Sequence, residues 1–552
     1  MEENKKKYFY ITTPIYYASG NIHIGHTYCC TAADVIARYK RMDGYSVRFM
    51  TGSDEHGQKI QAKAEAAGLA PQAYVDKIAQ SFKDVWKAMN ISYDYYVRTT
   101  DSYHVATVQK VFTQMMAEGD IYLGKYEGWY CTPDEAFWSD SQVEVKDGKH
   151  YCPDCHREVH YETEEAYFLN VKKFVPWLLK FYEEHPDFCS KQKINEMVNN
   201  FIKPGLEDLC ITRTSFNWGI PVKENPKHVI YVWIDALLNY LSALGYGSDD
   251  DSLMKEYWDK DTEIVQLVGR DITRFHIIYW PILLKALNLR QPDKIIIHGL
   301  LLTRSGVKLS KSLGNAPSPY PLIERYGVDS LRYYLVKAVQ FGGDGQFTPI
   351  LFVDTLNADL ANNYGNLVNR TLSMVNRYFD GIIPEYDPSA LKSDITKKLF
   401  QDADDKIVSY KASMDAFDIT AGTTTAMELV DLGNKYFDSM APWSLAKNGN
   451  TELLKESLAA ACELIRIGSI LLSPVMPAKT KEALDQENVP VDLRDYKNLK
   501  ENGKLSGLKV GTLVPLFPRL KKDEELSFLT ELIDGPAVAK PAKTDKKKQE
   551  KK

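Results

Sequence analysis

Residues 8–51 read YFYITTPIYYASGNIHIGHTYCCTAADVIARYKRMDGYSVRFMT, and their pattern predicts a strand, a helix and a second strand. The first segment, residues 8–13, is rich in aromatic and β-branched residues, as buried strands are. Pro14, Gly20 and Asn21 then interrupt the pattern, which indicates a loop before the helix begins.

The predicted helix is marked by apolar residues that recur every three or four positions from Gly25 onward. Gly44 ends this pattern, and residues 46–51 again have the composition of a strand. A strand, helix and strand in this order favour a parallel sheet, which binds its ligand at the carboxyl ends of the strands.

The rest of the chain changes character several times. Aromatics, prolines and cysteines concentrate after Gly119, which predicts an insertion. Strand-like segments return at 229–233, 264–268 and 295–297, and helical spacing dominates after Phe347. The predicted divisions are 1–118 for the first half of the sheet domain, 119–225 for the insertion, 226–300 for the second half, 301–346 for a lysine-serine loop region, 347–520 for a helical bundle and 521–552 for a lysine-rich, disordered tail.

Composition limits the class of protein. A chain of 552 residues predicts two to four units with sizeable cores. The start of the chain has no secretory pattern, and no apolar run approaches the roughly 18 residues that span a bilayer, so we expect a cytoplasmic protein. The net charge of −6 does not exclude RNA, because a local basic strip suffices. The tail at 540–552 is either a solubilising end or a weak RNA contact.

Two short motifs carry the chemistry. Residues 23–26 read HIGH at the start of the predicted helix, where two imidazoles, a glycine and the helix dipole suit a polyphosphate. Residues 308–312 read KLSKS, whose lysines are able to neutralise a departing pyrophosphate. Alone, the first motif could be a helix cap with incidental histidines and the second a solvated loop. Together, on loops at the same sheet edge, they predict a nucleotide site.

These two motifs resemble the HIGH and KMSKS signatures of the class I aminoacyl-tRNA synthetases, with Leu309 in place of methionine. The resemblance implies a Rossmann-like catalytic domain, an α/β fold, that is split by a connective insertion and followed by an α-helical anticodon-binding bundle. Further segments resemble the methionine-specific members of this class. They are TPIYY at 13–17, TGSDEHG at 51–57, ITR at 211–213, WGIP at 218–221, YVWIDALLNY at 231–240 and GRDITRFHIIYWP at 269–281.

The resemblance implies activation of L-methionine with ATP and Mg²⁺, followed by transfer to initiator and elongator tRNA(Met) in protein synthesis. The implied catalytic residues are His23, Gly25, His26, Lys308 and Lys311. Asp271 and Ser310 join them in the implied ATP site, with Asp271 at the ribose. The implied methionine pocket consists of Ile15, Tyr17, Asp54, Ala236, Tyr240, Ile272 and His276, with Asp54 at the ammonium group. Without the resemblance, Tyr240 and Ile272 would be read as core residues.

A cysteine cluster in the insertion departs from the relatives' two CxxC pairs. Cys152 and Cys155 form an intact pair, but the first pair reads Cys131 and Asp134. A carboxylate is able to replace a thiolate at a tetrahedral ion, so these four residues predict one structural Zn²⁺. The alternative is that the segment carrying these four residues, here called the knuckle, binds no metal and is held together by its aromatic residues. His150 and His156 are alternative ligands with less suitable spacing.

The helical bundle supplies the implied anticodon site. Asn366 and Arg370 are four residues apart on one helix face, and Trp443 follows a proline at a helix start, where it either stacks on a base or serves as a hydrophobic staple. Two other hypotheses are a different synthetase of this class and an inactive RNA-binding descendant. The leucine, valine and isoleucine enzymes carry a large editing insertion, for which this chain has no room between the two motifs, and a cysteine enzyme would place its metal in the amino-acid pocket. An inactive descendant predicts broken motifs, whereas both motifs are intact here. We expect a monomer.

Overall fold

A computed structural model describes residues 6–134, 136–138, 140, 142–230, 232–302, 306, 309 and 316–534. Its first part alternates strands and helices. The elements are β1 (Tyr8–Tyr17), α1 (Ile24–Met42), β2 (Ser46–Asp54), α2 (Gln58–Ala66), α3 (Pro71–Ala88), β3 (Tyr95–Arg98) and α4 (Ser102–Ala117). The predicted strand, helix and strand are therefore present. Both strands extend further at their carboxyl ends than the composition indicated.

In the described residues, the insertion is built from antiparallel strands and two α-helices. They are β4 (Ile121–Cys131), β5 (Ala136–Trp138), β6 (Glu144–Lys146), β7 (Lys149–Tyr151), β8 (His160–Leu169), α5 (Val175–Glu184), α6 (Lys191–Met197), β9 (Leu209–Cys210), β10 (Thr212–Arg213), β11 (Ile220–Val222) and β12 (Asn225–Ile230). Within the described residues, β5, β4, β8 and β9 form one sheet, and β10, β12 and β11 form another.

The chain then returns to the first domain. The elements are α7 (Val232–Leu237), α8 (Asn239–Ser242), α9 (Ser252–Tyr257), β13 (Thr262–Gly269), α10 (Trp280–Ala286), β14 (Lys294–His298), β15 (Leu301–Leu302), α11 (Tyr320–Tyr326), α12 (Val328–Lys337) and β16 (Gly345–Gln346). A 3-10 turn at Arg270–Ile272 and a π-helix at Phe275–Tyr279 connect β13 to α10.

Helices dominate the last third. They are α13 (Pro349–Thr355), α14 (Gly365–Phe379), α15 (Asp394–Asp415), α16 (Ile419–Met440), α17 (Pro442–Lys447), α18 (Thr451–Leu472), α19 (Pro477–Gln486) and α20 (Lys522–Asp534), with a π-helix at Leu356–Tyr364 between α13 and α14. Helix α18 is buried along nearly its whole length and forms the centre of this bundle.

The central sheet of the described part has five parallel strands in the order β14-β13-β1-β2-β3. Successive residues of a strand point to opposite faces. Accordingly, Phe9 and Ile11 pack into the core that α1 shares with the helical bundle, while Tyr10 packs into a second core on the other face. A sheet covered on both faces reads as a continuous apolar run, which explains the composition of β1.

Two predictions about these elements are wrong. Residues 229–233 do not return to the parallel sheet, because β12 ends at Ile230 and pairs antiparallel with β10 and β11, and α7 begins at Val232. Residues 522–534 are not part of a disordered tail. They form α20, which buries Leu529 against the bundle. The lysine-rich residues 540–552 lie outside the described residues.

Candidate active site at the carboxyl ends of the parallel strands

The HIGH residues form a reciprocal cap at the start of α1. The His23 ring accepts a hydrogen bond from the Gly25 backbone N–H at 3.1 Å, and the His26 ring accepts one from the His23 backbone N–H at 3.2 Å. In both rings the acceptor is Nδ1, so the neutral rings carry their proton on Nε2. A Cβ on Gly25 would lie 2.9 Å from His23 Cε1, so a side chain there would displace the cap. The motif therefore presents two N–H donors at a positive helix end.

Two residues of the implied methionine pocket form a neutral polar pair. Tyr240 and His276 are almost completely buried, and the Tyr240 hydroxyl lies 2.7 Å from His276 Nε2. His276 Nδ1 lies 3.0 Å from the Ile272 carbonyl oxygen and must donate to it. Nε2 is therefore the acceptor, and Tyr240 donates its proton to His276. Burial raises the pKa of Tyr240 and lowers that of His276 to about 4, so both side chains stay neutral.

The low pKa of His276 predicts a pH dependence of stability. An unfolded histidine binds a proton below about pH 6.5, whereas folded His276 does so only near pH 4. The unfolded state thus binds more protons between these values, so this residue lowers the free energy of unfolding as the pH falls from 6.5 to 4, by up to roughly 3 kcal/mol. Urea unfolding at a series of pH values from 7.5 to 4.5 measures the free energy of unfolding as a curve against pH. Substitution of His276 by phenylalanine should flatten the curve, and an equally steep curve would contradict the assignment.

Ile15, Tyr17 and Asp54 lie at neighbouring strand ends. Ile15 pairs with Gly52 and Tyr17 with Asp54, after a bulge in β1. Asp54 is 7% exposed. A carboxylate this buried suits a cationic group of a substrate. Ala236 is also buried, and Ile272 is partly buried in the segment that follows β13.

Glu55 and Arg98 hold the loop that follows Asp54. The carboxylate of Glu55 is fully buried and receives two hydrogen bonds from the Arg98 guanidinium, at 2.7 and 2.9 Å. Ser53 and Thr100 donate to the same carboxylate, each at 2.5 Å. A bidentate ion pair fixes geometry as well as charge. Sequence reasoning missed this support, although Glu55 lies within the TGSDEHG segment.

Asp235, in α7, joins the loop after β2 to helix α4, a role that the sequence did not indicate. It is fully buried, with one carboxylate oxygen 2.6 Å from His56 Nδ1 and the other 2.7 Å from His104 Nε2. Burial opposes ionisation, but the two imidazoles outweigh it and hold the pKa of Asp235 below its usual range. Because Asp235 directly precedes Ala236, this network holds one residue of the implied methionine pocket in place.

The implied nucleotide side is only partly described. Asp271 is exposed in the 3-10 turn after β13, and His298 lies at the end of β14 beside it, with its ring edge-on to Tyr28 at 5.2 Å. A Cβ on Gly269 would lie 2.7 Å from Asp271 Oδ1, so glycine is needed for this approach. Lys308, Ser310 and Lys311 lie outside the described residues. His298 was not singled out from the sequence, because a lone histidine at the end of a strand belongs to no recognisable motif.

The four predicted metal ligands come together. The ligand atoms of Cys131, Asp134, Cys152 and Cys155 all lie within 4.8 Å of one another. The Cys131 and Cys155 sulfurs are 3.5 Å apart, and Asp134 Oδ2 lies 3.2 Å from the Cys152 sulfur. Two thiolates on one tetrahedral Zn²⁺ lie about 3.8 Å apart, so the spacing fits. A hydrogen bond with Cys131 lowers the pKa of the Cys152 thiol, which favours its ionised form.

The implied anticodon residues share one surface of the bundle. The Arg370 guanidinium lies over the Phe437 ring at 4.2 Å and the Trp443 ring at 6.0 Å, and it pairs with Asp438 at 2.6 Å. Asn366 donates to the Asn434 side chain at 3.2 Å. Trp443 is 45% exposed, which suits a stacking platform better than a buried staple.

None of the helices in the described ranges is long and apolar enough to cross a membrane. The family model for class I tRNA synthetases (M) matches residues 9–164 and 155–372, and the model for the anticodon-binding domain of methionyl tRNA ligase matches residues 388–528. The methionine--tRNA ligase of Bacillus subtilis is 46% identical over 98% of this chain and 82% of its own length. That of Clostridium tetani is 48% identical over 95% and 81%.

Solved structures resemble the chain over almost its whole length. Mycobacterium tuberculosis methionyl-tRNA synthetase in complex with methionyl-adenylate has a TM-score of 0.88 and 37% identity, and the match covers 93% of this chain and 100% of that one. Its free-state structure has a TM-score of 0.82 and 34% identity, with 94% and 100% covered.

Proposed function

The chain belongs to the methionyl-tRNA synthetase family, and we propose that it activates L-methionine with ATP and transfers the methionyl group to tRNA(Met), both initiator and elongator. The observation that carries this proposal is the arrangement at one sheet edge. The capped HIGH residues at the start of α1 lie beside the end of β1, where a buried carboxylate and a neutral Tyr240–His276 pair also lie. Phosphates, an ammonium group and a thioether each find a matching environment there.

The activation step requires positioning rather than proton transfer. The methionine carboxylate is already ionised at neutral pH and attacks the α-phosphorus directly, so no general base is needed. His23 and His26 donate to the phosphates, Gly25 lets the nucleotide approach, and Asp271 holds the ribose. Lys308, Ser310 and Lys311 then bind the leaving pyrophosphate. ATP would bind as its complex with Mg²⁺.

Methionine is recognised by fit and by charge. Its thioether is flexible and polarizable, so selection depends on a close apolar cavity with few polar groups. Ile15, Tyr17, Ala236 and Ile272 supply this cavity, and the Tyr240–His276 pair supplies a polar end without a charge. Asp54 binds the ammonium group.

The proposed function is tested by methionine-dependent exchange between ATP and labelled pyrophosphate, followed by charging of tRNA(Met). We expect exchange with methionine and, at equal concentrations, under about 1% of that rate with leucine or valine, because a close cavity rejects their branched side chains. Exchange with another amino acid would overturn the assignment to methionine. An absence of exchange with every amino acid would support the inactive RNA-binding hypothesis.

Trp443 should act in tRNA recognition and not in activation. Replacement by alanine is expected to lower kcat/KM for tRNA charging by about 10- to 100-fold, because base stacking on an aromatic ring contributes about 1–3 kcal/mol. Pyrophosphate exchange should stay within about twofold of wild type. Equal damage to both reactions would show that the ring serves only as a staple. Replacement by phenylalanine, which retains a stacking face, is the matched control.

We further propose that Cys131, Asp134, Cys152 and Cys155 hold one structural Zn²⁺, which would cross-link the two ends of the knuckle when bound. We expect about one zinc per chain after dialysis, measured by elemental analysis, and well below half that in Cys155→Ser, which loses a ligand. Less than about 0.1 zinc per chain in the wild-type protein would favour the metal-free knuckle. Cys189→Ser, outside the cluster, should retain the metal.

A further inference from the structure

Arg274 lies where the insertion meets the methionine pocket. Its guanidinium carbon is 5.2 Å from the ring centroid of Trp138, 5.0 Å from that of Phe201 and 5.2 Å from that of Phe275. Trp138 belongs to the knuckle strand β5, and Phe201 follows α6 in the insertion. Phe275 opens the π-helix that also carries His276. One side chain therefore contacts the knuckle, the insertion and the pocket segment.

The knuckle is otherwise a small separate unit. Its buried residues form a cluster of their own, distinct from the two large cores. Trp138 is 3% exposed and belongs to this cluster together with Cys131 and Cys152, and Cys155 packs against it. A movement of the knuckle would thus reach the Arg274 guanidinium through the Trp138 ring.

On the other side, Arg274 supports the aromatic wall of the pocket. The Phe275 ring stacks on Trp233 with centroids 3.5 Å apart and planes inclined by 9°. The next residue, His276, accepts the hydrogen bond from Tyr240 at 2.7 Å. A π-helical turn is an uncommon backbone geometry that depends on its surroundings. The guanidinium, held between aromatic faces, provides such support.

We propose that Arg274 is a positioning residue for methionine binding, which couples the knuckle to the pocket through its contacts with Trp138 and Phe275. It does not touch the reacting atoms. It holds Phe275 and His276 in the arrangement that closes the pocket around the methionine side chain. This inference rests on the proposed function, and it assigns to the knuckle a part in amino-acid affinity.

A double-mutant cycle on methionine affinity tests this coupling. Arg274→Gln should raise the dissociation constant of labelled methionine, measured by equilibrium dialysis, about tenfold, as expected for loss of desolvated cation–π contacts. Arg274→Lys, which keeps the cation, should recover most of the affinity. Trp138→Leu should weaken binding as well, and the double variant should bind no more weakly than Arg274→Gln alone, because the two residues act through one contact.

Four controls separate positioning from a general loss of structure. The KM for ATP in pyrophosphate exchange should not change in Arg274→Gln, and its melting temperature should stay within a few degrees of wild type. Arg377→Gln, which removes a guanidinium over a tyrosine ring on α14, should bind methionine normally. Because Trp138→Leu also removes buried packing, Trp138→Phe repeats the cycle with an aromatic ring retained.

Independent, additive effects of the Arg274 and Trp138 substitutions would overturn the coupling, as would unchanged methionine affinity in Arg274→Gln. An equal rise in the KM values for methionine and ATP would also overturn it, since that result indicates a structural role alone. If the wild-type protein itself binds no methionine, the proposed function fails, and that outcome differs from each of these.

Discussion

Asp54→Asn is expected to lower kcat/KM for methionine in pyrophosphate exchange by about 100- to 1,000-fold. Truncating one partner of a buried, hydrogen-bonded charge pair costs roughly 2–5 kcal/mol, and each 1.4 kcal/mol is tenfold. Asp54 is 7% exposed at the end of β2, so water compensates little for the lost charge. Asparagine has the same shape, so the loss should report charge and not packing. Steady-state exchange over a range of methionine concentrations measures it.

The effect of Asp54→Asn should be confined to methionine. The KM for ATP and the melting temperature should stay near wild type, because Glu55 and Arg98 hold the loop independently of Asp54. Asp431→Asn, which removes a half-exposed charge on α16, is the matched control and should leave kcat/KM for methionine unchanged. A loss below about threefold in Asp54→Asn would place the ammonium group elsewhere.

Arg332→Ala is expected to lower the free energy of unfolding by about 3–5 kcal/mol, the cost of breaking a buried ion pair. Arg332 on α12 is fully buried and bonds Asp34 of α1 at 2.7 Å. It also donates to the carbonyls of Met89, Pro474 and Val475. The guanidinium thus joins the helix that carries HIGH to the turn between α18 and α19. Urea or guanidinium denaturation measures the loss.

Arg41→Ala is the matched control for this substitution. Arg41 also lies on α1, but its ion pair with Asp94 is partly exposed, with 31% and 40% of the side chains accessible. Exposed pairs contribute about 0–1 kcal/mol, so the free energy of unfolding should change little. A similar loss in both variants would show that burial of Arg332 does not set the cost.

The site was predictable from sequence to different degrees. HIGH could be placed at the start of a helix, because the glycine, the preceding loop and the helical spacing are local signals. The reciprocal bonds between His23, Gly25 and His26 depend on ring orientations, which no local signal specifies. The network around Asp235 was even less predictable from the sequence. Its two partners, His56 and His104, are 179 and 131 residues away along the chain, so only the folded arrangement shows the network.

The wrong predictions have a common physical cause. Residues 229–233 have the apolar, β-branched composition of a strand, but composition does not show which sheet a strand joins. Residues 522–534 begin with four charged residues, which resembles a solvated tail. Burial of Leu529 and the pair between Glu525 and Arg325, at 2.6 Å, nevertheless stabilise a helix there. In both segments, contacts with distant residues outweigh local preference.

The sequence by itself determined the βαβ start of the fold, the insertion, the helical last third and the methionine-specific family, because these depend on local patterns and on motifs. It also placed four candidate ligands in one cluster. Only the tertiary structure decided that His276 is neutral, that Asp235 lies between two imidazoles, and that Arg274 connects the knuckle to the pocket. Protonation and coupling depend on burial and on neighbours brought together from far along the chain, and these are properties of the packed molecule.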